Sequence, residues 1–298
     1  MNPTPIIFPL FDNNYFAKAI NLSLGYEIGA INYHQFPDEE ISVNITTSLQ
    51  KREVIFIASL DRPNNKLAAL IFAAETAREL GATKVGLIAP YLAYMRQDRQ
   101  FHSGDSVTSK YFAKLISSYF DGLIAIDPHL HRWHSLSDIY TIPTTVIHAT
   151  NNIADWIKAN ISNAILIGPD AESSQWVSEI AKIANLPFLI LEKVRKGDSL
   201  VEISIPQIEK YKNQSPILVD DIISTAATMI KTVGHLKSLD MKPPVCVGVH
   251  AIFAGNAYTD LQNAGVEKII TCNTIQHESN GIDLTDIIVK KIDKIFGA

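Results

Sequence analysis

Short apolar runs alternate along the chain with longer amphipathic stretches of helical length. Between the predicted strands Val54–Ala58 and Val85–Ala89, the stretch Lys66–Leu80 has the periodicity of a helix, with Asn64 or Asn65 as its N-cap. Strands separated by helices are typical of a parallel sheet whose faces are covered by helices. The same pattern predicts a helix at Lys110–Tyr119 and strands at Leu123–Ile126, Ala164–Ile167, Phe188–Leu191, Ile217–Val219, Val245–Ala251 and Lys268–Thr271.

The pattern restarts after a connector that contains Thr and Pro near residues 141–145. We therefore predict two α/β domains of similar construction, residues 1–145 and residues 146–298. Hydrophobic residues make up 47% of the 298 positions and charged residues 19%, which provides enough apolar material for a substantial core. In both halves polar side chains follow the predicted strand ends, where open α/β sheets bind their ligands.

The charge balance and the cysteines exclude several classes of protein. The chain carries 26 Lys and Arg against 31 Asp and Glu, a formal net charge of −5, so its surface as a whole does not match nucleic acid. Cys246 and Cys272 lie far apart in apolar runs and are predicted to be buried thiols. No signal peptide is recognised, and no apolar run approaches the roughly 20 residues that span a bilayer. We expect a cytoplasmic protein with no membrane partner.

The segment Pro216–Thr228 is the richest in candidate chemistry. A short apolar run ends in two carboxylates, and hydroxyl and small side chains then open a helical pattern. Small residues let a backbone approach an anion, N–H groups of a starting helix point at it, and carboxylates accept hydrogen bonds from sugar hydroxyls or hold a divalent cation. The segment predicts a sugar-phosphate pocket, with an ordinary strand, turn and capped helix as the alternative. Its candidate binding residues are Asp220, Asp221, Ser224, Thr225, Ala226, Ala227 and Thr228.

This segment resembles the phosphoribosyl-pyrophosphate loop of the type I phosphoribosyltransferase superfamily. Four further motifs resemble one family within it, the ribose-phosphate pyrophosphokinases. The motifs follow the family order over residues 36–228, and the combination is specific although each motif alone is weak. They are Phe36-Pro37-Asp38-Glu39-Glu40, Pro90-Tyr91-Leu92-Ala93-Tyr94-Met95-Arg96-Gln97-Asp98-Arg99, Asp127-Pro128-His129, Leu191-Glu192-Lys193-Val194-Arg195 and the loop at 220–228.

The resemblance implies two phosphoribosyltransferase-type domains, each with a central, mostly parallel sheet flanked by helices, related by a pseudo-twofold. It implies an enzyme that uses Mg²⁺ and transfers the diphosphoryl group of ATP to the anomeric hydroxyl of ribose 5-phosphate, which gives phosphoribosyl pyrophosphate and AMP. The N-terminal domain would carry the ATP motifs, and the C-terminal domain would carry the ribose 5-phosphate loop and a catalytic flap. A homo-oligomer is implied, with the ATP site near a subunit interface.

The resemblance also implies roles for individual residues. Lys193 and Arg195 are the implied catalytic cations, and His129 and Asp170 are the implied metal-associated residues. Without the family, the two cations would be interpreted as ordinary loop charges and His129 as a structural histidine. The implied ATP-binding residues, which alone would indicate a solvated acidic turn and a surface ion-pair cluster, are Phe36, Asp38, Glu40, Arg96, Gln97, Asp98 and Arg99.

Four departures from the family pattern bear on activity and its control. Ala226-Ala227 stands where the family usually has a glycine, Glu39 stands where it has another, and no Gly-Gly follows Asp170. An alanine that needs a positive φ costs on the order of 1 kcal/mol. The segment 101–106 does not resemble the basic stretch of phosphate-activated members, so we expect weak or absent control by phosphate and ADP.

Two alternative functions stay open. The lost glycines favour a non-catalytic homologue that assembles with an active partner and regulates it, although Lys193 and Arg195 are retained. The loop at 220–228 would also suit a phosphoribosyltransferase that transfers ribose phosphate to a base. Such an enzyme would not need the motifs at 36–40 and 96–99. An active ribose-phosphate diphosphokinase is therefore the leading hypothesis.

Overall fold

The structure, a computed structural model, describes residues 4–168, 173–196, 200–204 and 208–296. The chain folds into two compact units. The first unit contains the residues up to Ile147 together with the C-terminal helix that begins at Thr285. The second unit runs from His148 to Leu284.

The helices and strands follow one another in an order that is similar in the two units. The elements up to Ile147 are β1 (Ile6–Pro9), α1 (Asn14–Leu24), β2 (Glu27–Ile28), β3 (Ile31–Gln35), β4 (Ile41–Ile45), β5 (Glu53–Ile57), α2 (Leu67–Glu79), β6 (Lys84–Ala89), α3 (Thr108–Tyr119), β7 (Gly122–Ile126) and β8 (Thr144–Ile147). The later elements are α4 (Thr150–Asn160), β9 (Ala164–Gly168), α5 (Ser174–Ala184), β10 (Phe188–Ile190), β11 (Glu192–Lys196), β12 (Leu200–Ser204), β13 (Ser215–Ile223), α6 (Ala227–Ser238), β14 (Val245–Ala251), α7 (Ala257–Asn263), β15 (Lys268–Cys272), β16 (Asn280–Ile282) and α8 (Thr285–Phe296).

The sheet of the first unit has the strand order β2-β1-β5-β6-β7-β8, and neighbouring strands are parallel. Its central strands are almost continuously apolar because parallel sheets in α/β folds are covered on both faces. Phe8 on β1 and Phe56 on β5 are fully buried, and their ring centroids lie 5.5 Å apart. Strands β3 and β4 form a separate antiparallel hairpin.

The sheet of the second unit has the order β10-β9-β13-β14-β15-β16, again with parallel neighbours. Its core includes Ile167 on β9, Leu218 on β13 and Cys246 on β14, with Met229 and Val233 on α6. Strands β11 and β12 form an antiparallel hairpin of their own. The predicted α/β architecture with two mostly parallel sheets is confirmed.

The C-terminal helix α8 packs on the first unit, against α1, β7 and β8. Its apolar residues Ile288 and Ile292 are fully buried, as expected for the apolar stripe of an amphipathic helix. The sequence pattern places this helix in the second predicted domain, 146–298, and this prediction is wrong. The local pattern predicts an amphipathic helix but does not identify the sheet that covers it.

Two local predictions also need correction. Asn64 and Asn65 do not cap α2, because both lie in a 3₁₀ turn, Pro63–Asn65, and the residue at the N-cap is Lys66. Strand β13 continues beyond the predicted end at Val219, because Asp220 pairs with Gly248 on β14 and the ladder runs on to Ile223. The acidic pair therefore lies within the strand.

The two cysteines are buried and free, as predicted. Burial raises the pKa of the Cys246 thiol, which keeps it in the neutral form. Within the ranges that the structure describes, no helix has both the length and the apolar character needed to cross a membrane.

Candidate active site

The predicted sugar-phosphate residues span the end of β13, the loop that follows it and the start of α6. Asp220 and Asp221 are half-buried, and the backbone N–H of Asp221 donates to Asp220 Oδ1 at 3.0 Å. Ala226 stands at the N-cap of α6 with φ 56°, and because its side chain is a methyl group it provides no side-chain cap. A helix without such a cap leaves N–H donors of its first turn available to an anion. The hydroxyls of Ser224 and Thr225 lie on the same loop.

Ala226 occupies the backbone conformation that the sequence analysis identified as costly. Its φ lies in the left-handed region, where glycine is favoured. The residue is only 7% exposed and belongs to the same buried cluster as Ile223 and Met229. Ala227, by contrast, is an exposed first residue of α6, a position that suits alanine well.

A turn after β14 supports this loop from one side, and the sequence analysis did not identify it. The backbone N–H of Phe253 donates to the Ile223 carbonyl at 2.9 Å, and that of Ala254 donates to the Ser224 carbonyl at 3.0 Å. The Phe253 ring lies 5.0 Å from the ring of Tyr258 and 4.6 Å from that of His277. Three aromatic side chains thus fix the turn that holds the carboxyl end of β13.

His250 is a second residue near this loop that the sequence analysis missed. It pairs with Ile222 across β13 and β14 and is 1% exposed. The Thr274 hydroxyl donates to the Val249 carbonyl at 2.9 Å, so it accepts from His250 Nδ1, also at 2.9 Å. In the sequence, the signal for His250 is a single histidine within an otherwise apolar strand.

The hairpin β11–β12 carries the two predicted catalytic cations. Lys193 pairs with Ile203 and Arg195 with Val201 in an antiparallel ladder. The segment 197–199, between these two strands, lies outside the described residues. Asp170, the predicted metal-associated aspartate, also lies outside them.

The turn between β3 and β4 holds Phe36, Asp38 and Glu40, three of the predicted ATP-binding residues. The Phe36 N–H donates to the Glu40 carbonyl at 2.7 Å, and the Glu39 N–H donates to the Phe36 carbonyl at 2.9 Å. Glu39 has φ 70°, which explains why a glycine suits this position. Phe36 is 43% exposed, and its ring meets His34 edge-on at 4.6 Å. Asp38 Oδ1 accepts from the Glu40 N–H at 3.3 Å.

The segment after β6 separates the predicted nucleotide residues into two groups. Arg96, Gln97 and Arg99 are exposed, and the Arg99 guanidinium lies 4.8 Å from the centre of the Phe101 ring. Asp98 is buried, and its two carboxylate oxygens accept from Arg132 Nη1 at 3.1 and 3.2 Å. The four residues of this motif therefore do not share one environment.

The turn after β7 holds the histidine of the predicted metal site. Asp127 and His129 both have positive φ, 34° and 53°, and the His129 N–H donates to the Asp127 carbonyl at 2.8 Å. His131 Nε2 lies 3.1 Å from His129 Nδ1, a hydrogen-bond distance. The turn thus presents two imidazoles at the carboxyl end of the sheet.

Comparisons with known protein families identify both parts of the chain. Residues 6–119 match the model described as the N-terminal domain of ribose phosphate pyrophosphokinase. Residues 135–286 match the model of the phosphoribosyl transferase domain.

Relatives of similar length give the same result. A ribose-phosphate pyrophosphokinase of Saccharolobus solfataricus is 31% identical over 85% of this chain and 87% of its own length. One of Sulfolobus acidocaldarius is 30% identical over 94% of this chain and 97% of its own length. The crystal structure of phosphoribosylpyrophosphate synthetase from Mycobacterium smegmatis covers 99% of both chains with a TM-score of 0.86 at 18% identity, a likeness that shows the fold. The chain belongs to the ribose-phosphate pyrophosphokinase family.

Proposed function

We propose that this chain catalyses transfer of the diphosphoryl group of ATP to the anomeric hydroxyl of ribose 5-phosphate. The observation that carries the proposal is the β13–α6 loop, with two carboxylates on the strand, hydroxyls on the turn and an uncapped helix start. In a chain that belongs to the ribose-phosphate pyrophosphokinase family, this chemistry suits a pentose phosphate.

The ribose 5-phosphate would bind along the loop from strand to helix. Asp220 and Asp221 would accept hydrogen bonds from the ribose hydroxyls. The phosphate would meet the first N–H groups of α6 and the hydroxyls of Ser224, Thr225 and Thr228. Two backbone hydrogen bonds from the turn at Phe253 support the loop, so its donors are held in place before the substrate arrives.

ATP would bind through the exposed residues of the first unit. The Phe36 ring would stack on adenine, and Asp38 and Glu40 would accept its exocyclic amine protons. Arg96, Gln97 and Arg99 would engage the phosphates. Because Phe36 is exposed on the hairpin turn, we propose that this turn serves the ATP site of a second copy in a homo-oligomer.

In the transfer step, a bond forms between the anomeric oxygen and the β-phosphorus of ATP. The bond from the β-phosphorus to the oxygen that joins it to the α-phosphorus breaks, and its electron pair leaves on the phosphate of AMP. The anomeric hydroxyl releases its proton to water. Phosphoryl transfer depends mainly on positioning and on neutralising negative charge, so Lys193 and Arg195 would contact the migrating group.

Some of the candidate ligand residues suit the proposed Mg²⁺ better than others. The ion prefers oxygen ligands and keeps several waters, and Asp220 and Asp221 offer carboxylate oxygens, whereas His129 offers a ring nitrogen. The carboxylates therefore suit the ion, and a histidine contact would be minor or water-mediated. When bound with ATP, Mg²⁺ would neutralise phosphate charge.

The decisive experiment incubates the purified chain with ATP, Mg²⁺ and ribose 5-phosphate and measures both products. We expect AMP and phosphoribosyl pyrophosphate in equal amounts, and no product when ribose 5-phosphate is omitted. No product above background across several divalent metals would defeat the proposal. Nucleotide formed from phosphoribosyl pyrophosphate and a free base would instead indicate a phosphoribosyltransferase.

A further inference from the structure

Asp98 differs from the other members of its motif in being buried and paired with a residue far along the chain. Its side chain is 2% exposed, and both carboxylate oxygens accept from Nη1 of Arg132. The Arg132 side chain is 36% exposed, so one side of the guanidinium meets Asp98 while the rest reaches solvent. Arg132 follows the turn at the carboxyl end of β7.

Neighbouring contacts hold the chain around this pair on both sides. The Ser109 N–H donates to the Gln97 carbonyl at 3.2 Å, and the Ser109 hydroxyl accepts from Trp133 Nε1 at 3.3 Å. Ser109 is fully buried near the start of α3, and Lys110 Nζ lies 5.2 Å from the centre of the Trp133 ring. Gln97 and Trp133, the residues before Asp98 and after Arg132, therefore both bond to the buried Ser109, the first to its backbone N–H and the second to its hydroxyl.

The buried Asp98 carboxylate and the partly exposed Arg132 guanidinium have different roles. A buried carboxylate is stable only when it is paired, so Asp98 needs the guanidinium. Arginine has five N–H donors, and one nitrogen is engaged with Asp98. Among the described residues, Asp98 is the hydrogen-bond partner of Arg132, so donors on its other nitrogens can meet a ligand. An arginine held on one side has already lost much of its rotamer entropy before a ligand binds.

We propose that Asp98 is a positioning residue that holds Arg132 to bind the phosphates of ATP. This inference rests on the proposed function. It replaces the expectation that Asp98 contacts the nucleotide itself, because a buried carboxylate offers little surface and would repel a triphosphate. Arg132 becomes a nucleotide-binding residue beside Arg96 and Arg99.

The test is a double-mutant cycle on the affinity for ATP. Arg132→Gln is expected to raise the KM for ATP about tenfold, the effect of one lost charge-assisted hydrogen bond. Asp98→Asn is expected to raise it severalfold while Arg132 is present. In the Arg132→Gln background, Asp98→Asn should cause no further increase, because it acts through the missing guanidinium. The KM for ribose 5-phosphate should stay unchanged in all three variants.

A second ion pair of the first unit gives a matched structural control. Arg78 Nη2 lies 3.1 Å from Asp121 Oδ2, and the two side chains are 33% and 38% exposed. Asp121 Oδ2 also accepts from the Val85 N–H at 2.7 Å, so Asp121→Asn should lower the melting temperature. It should leave the KM for ATP unchanged, whereas Asp98→Asn should raise that KM even at a temperature where both variants are fully folded.

Calorimetric titration with Mg²⁺-ATP separates this inference from the proposed function. A wild-type chain that binds ATP without forming product defeats the proposed function, and the same cycle measured on Kd then still tests Arg132 and Asp98. The inference alone would be overturned if the increases in KM or Kd for ATP multiplied in the double variant. It would also be overturned if both single variants bound ATP with wild-type affinity. A wild-type chain that does not bind ATP would overturn both.

Discussion

Each unit inserts an antiparallel hairpin after the second strand of its sheet in chain order, β3–β4 in the first unit and β11–β12 in the second. In the first hairpin the turn carries Phe36, Asp38 and Glu40, an aromatic ring with two carboxylates. In the second, the strand β11 itself carries Lys193 and Arg195. The same insertion point thus holds groups suited to a base in one unit and to a phosphate in the other. The sheets of the two units repeat one strand order, while the inserted hairpins differ in their side chains, and we propose that the division of chemistry follows that difference.

The turns that follow β5 and β13 also differ in the side chains that they carry. After β5, the Lys66 ammonium donates to the Ser59 carbonyl at 2.9 Å and to Asp61 at 2.5 Å, so a cation of the chain itself fills the turn. After β13, the loop reaches α6 through Ser224, Thr225 and Ala226. Both α2 and α6 begin without a side-chain cap, so the two turns differ in their side chains. The first turn pairs Asp61 with Lys66, whereas the second presents the hydroxyls of Ser224 and Thr225 beside the helix start.

The largest effect is expected from the second hairpin. Lys193→Ala should lower kcat at least about 100-fold, because a lost cation near the migrating group costs roughly 2.7 kcal/mol of transition-state stabilisation. The KM values for both substrates should change little. Steady-state kinetics with each substrate varied in turn will measure this.

The matched control for that variant is Lys237→Ala, which removes an exposed lysine of α6 in the same unit. It should leave kcat at the wild-type value. Equal kcat values for the two lysine variants would show that Lys193 of the second hairpin does not have the proposed catalytic role.

The next effect concerns stability and tests the turn after β5. Lys66→Met removes the ammonium and leaves Asp61, which is 9% exposed, without this partner. The free energy of unfolding should fall by about 2 kcal/mol, as for a mostly buried carboxylate that loses a charged hydrogen bond. The KM for ribose 5-phosphate should not change. Urea unfolding gives the first quantity and steady-state kinetics the second.

Lys158→Met provides the reference for a solvated pair. Lys158 Nζ lies 2.7 Å from Asp155 Oδ1, and the two side chains are 46% and 70% exposed. This variant should lose less than about 0.5 kcal/mol, as exposed ion pairs generally do. If Lys66→Met costs no more than Lys158→Met, the turn after β5 does not depend on its internal cation.

At β13 we expect a smaller effect, in which the affinity for ribose 5-phosphate changes and the stability does not. Asp221→Asn should raise the KM for ribose 5-phosphate about tenfold, which corresponds to roughly 1.4 kcal/mol. Stability should change little, because Asp221 is half-buried and the amide keeps a similar volume. The first-unit counterpart Asp61→Asn should lower stability and leave this KM unchanged. A loss of stability without a change in KM at Asp221 would remove the contrast between the two turns.

Much of the architecture could be predicted because apolar strands and amphipathic helices carry local periodic signals. Strand β14 was predicted at its observed bounds, Val245–Ala251. The length of β13 was not, because two adjacent carboxylates disfavour a strand locally and only the pairing with β14 extends it. The position of α8 depends on packing with strands far earlier in the chain, which a local pattern does not encode.

The sequence motifs name the candidate site residues but do not reveal the environments in which those residues lie. The motif at 96–99 gives no sign that Asp98 is buried while Arg96 and Arg99 are exposed. Its partner Arg132 lies 34 positions away, so the pair becomes visible only when the chain folds. The turn at Phe253 was missed for the same reason, since its hydrogen bonds reach a different loop.

The smallest effect compares the two positive-φ residues that follow β5 and β13, Arg62 at 48° and Ala226 at 56°. Ala226→Gly relieves about 1 kcal/mol of backbone strain but loses a buried methyl worth about 0.8 kcal/mol and adds unfolded-state entropy. Its free energy of unfolding should therefore change by less than about 1 kcal/mol. Arg62→Gly relieves similar strain and loses no buried methyl. It removes an ion pair of 3.5 Å with Asp61, but the Arg62 side chain is 65% exposed and such pairs contribute little, so it should be the more favourable change of the two.

Urea unfolding of the two glycine variants measures this order directly. A gain in stability of Ala226→Gly larger than that of Arg62→Gly would mean that the alanine methyl is strained rather than well packed. In that case Ala226→Gly should also lower the KM for ribose 5-phosphate, because the methyl would then obstruct the loop. If the methyl is well packed, as its 7% exposure among core residues indicates, the KM should stay within about twofold of the wild type. The alanine would then be a substitution that the second unit accommodates through its core.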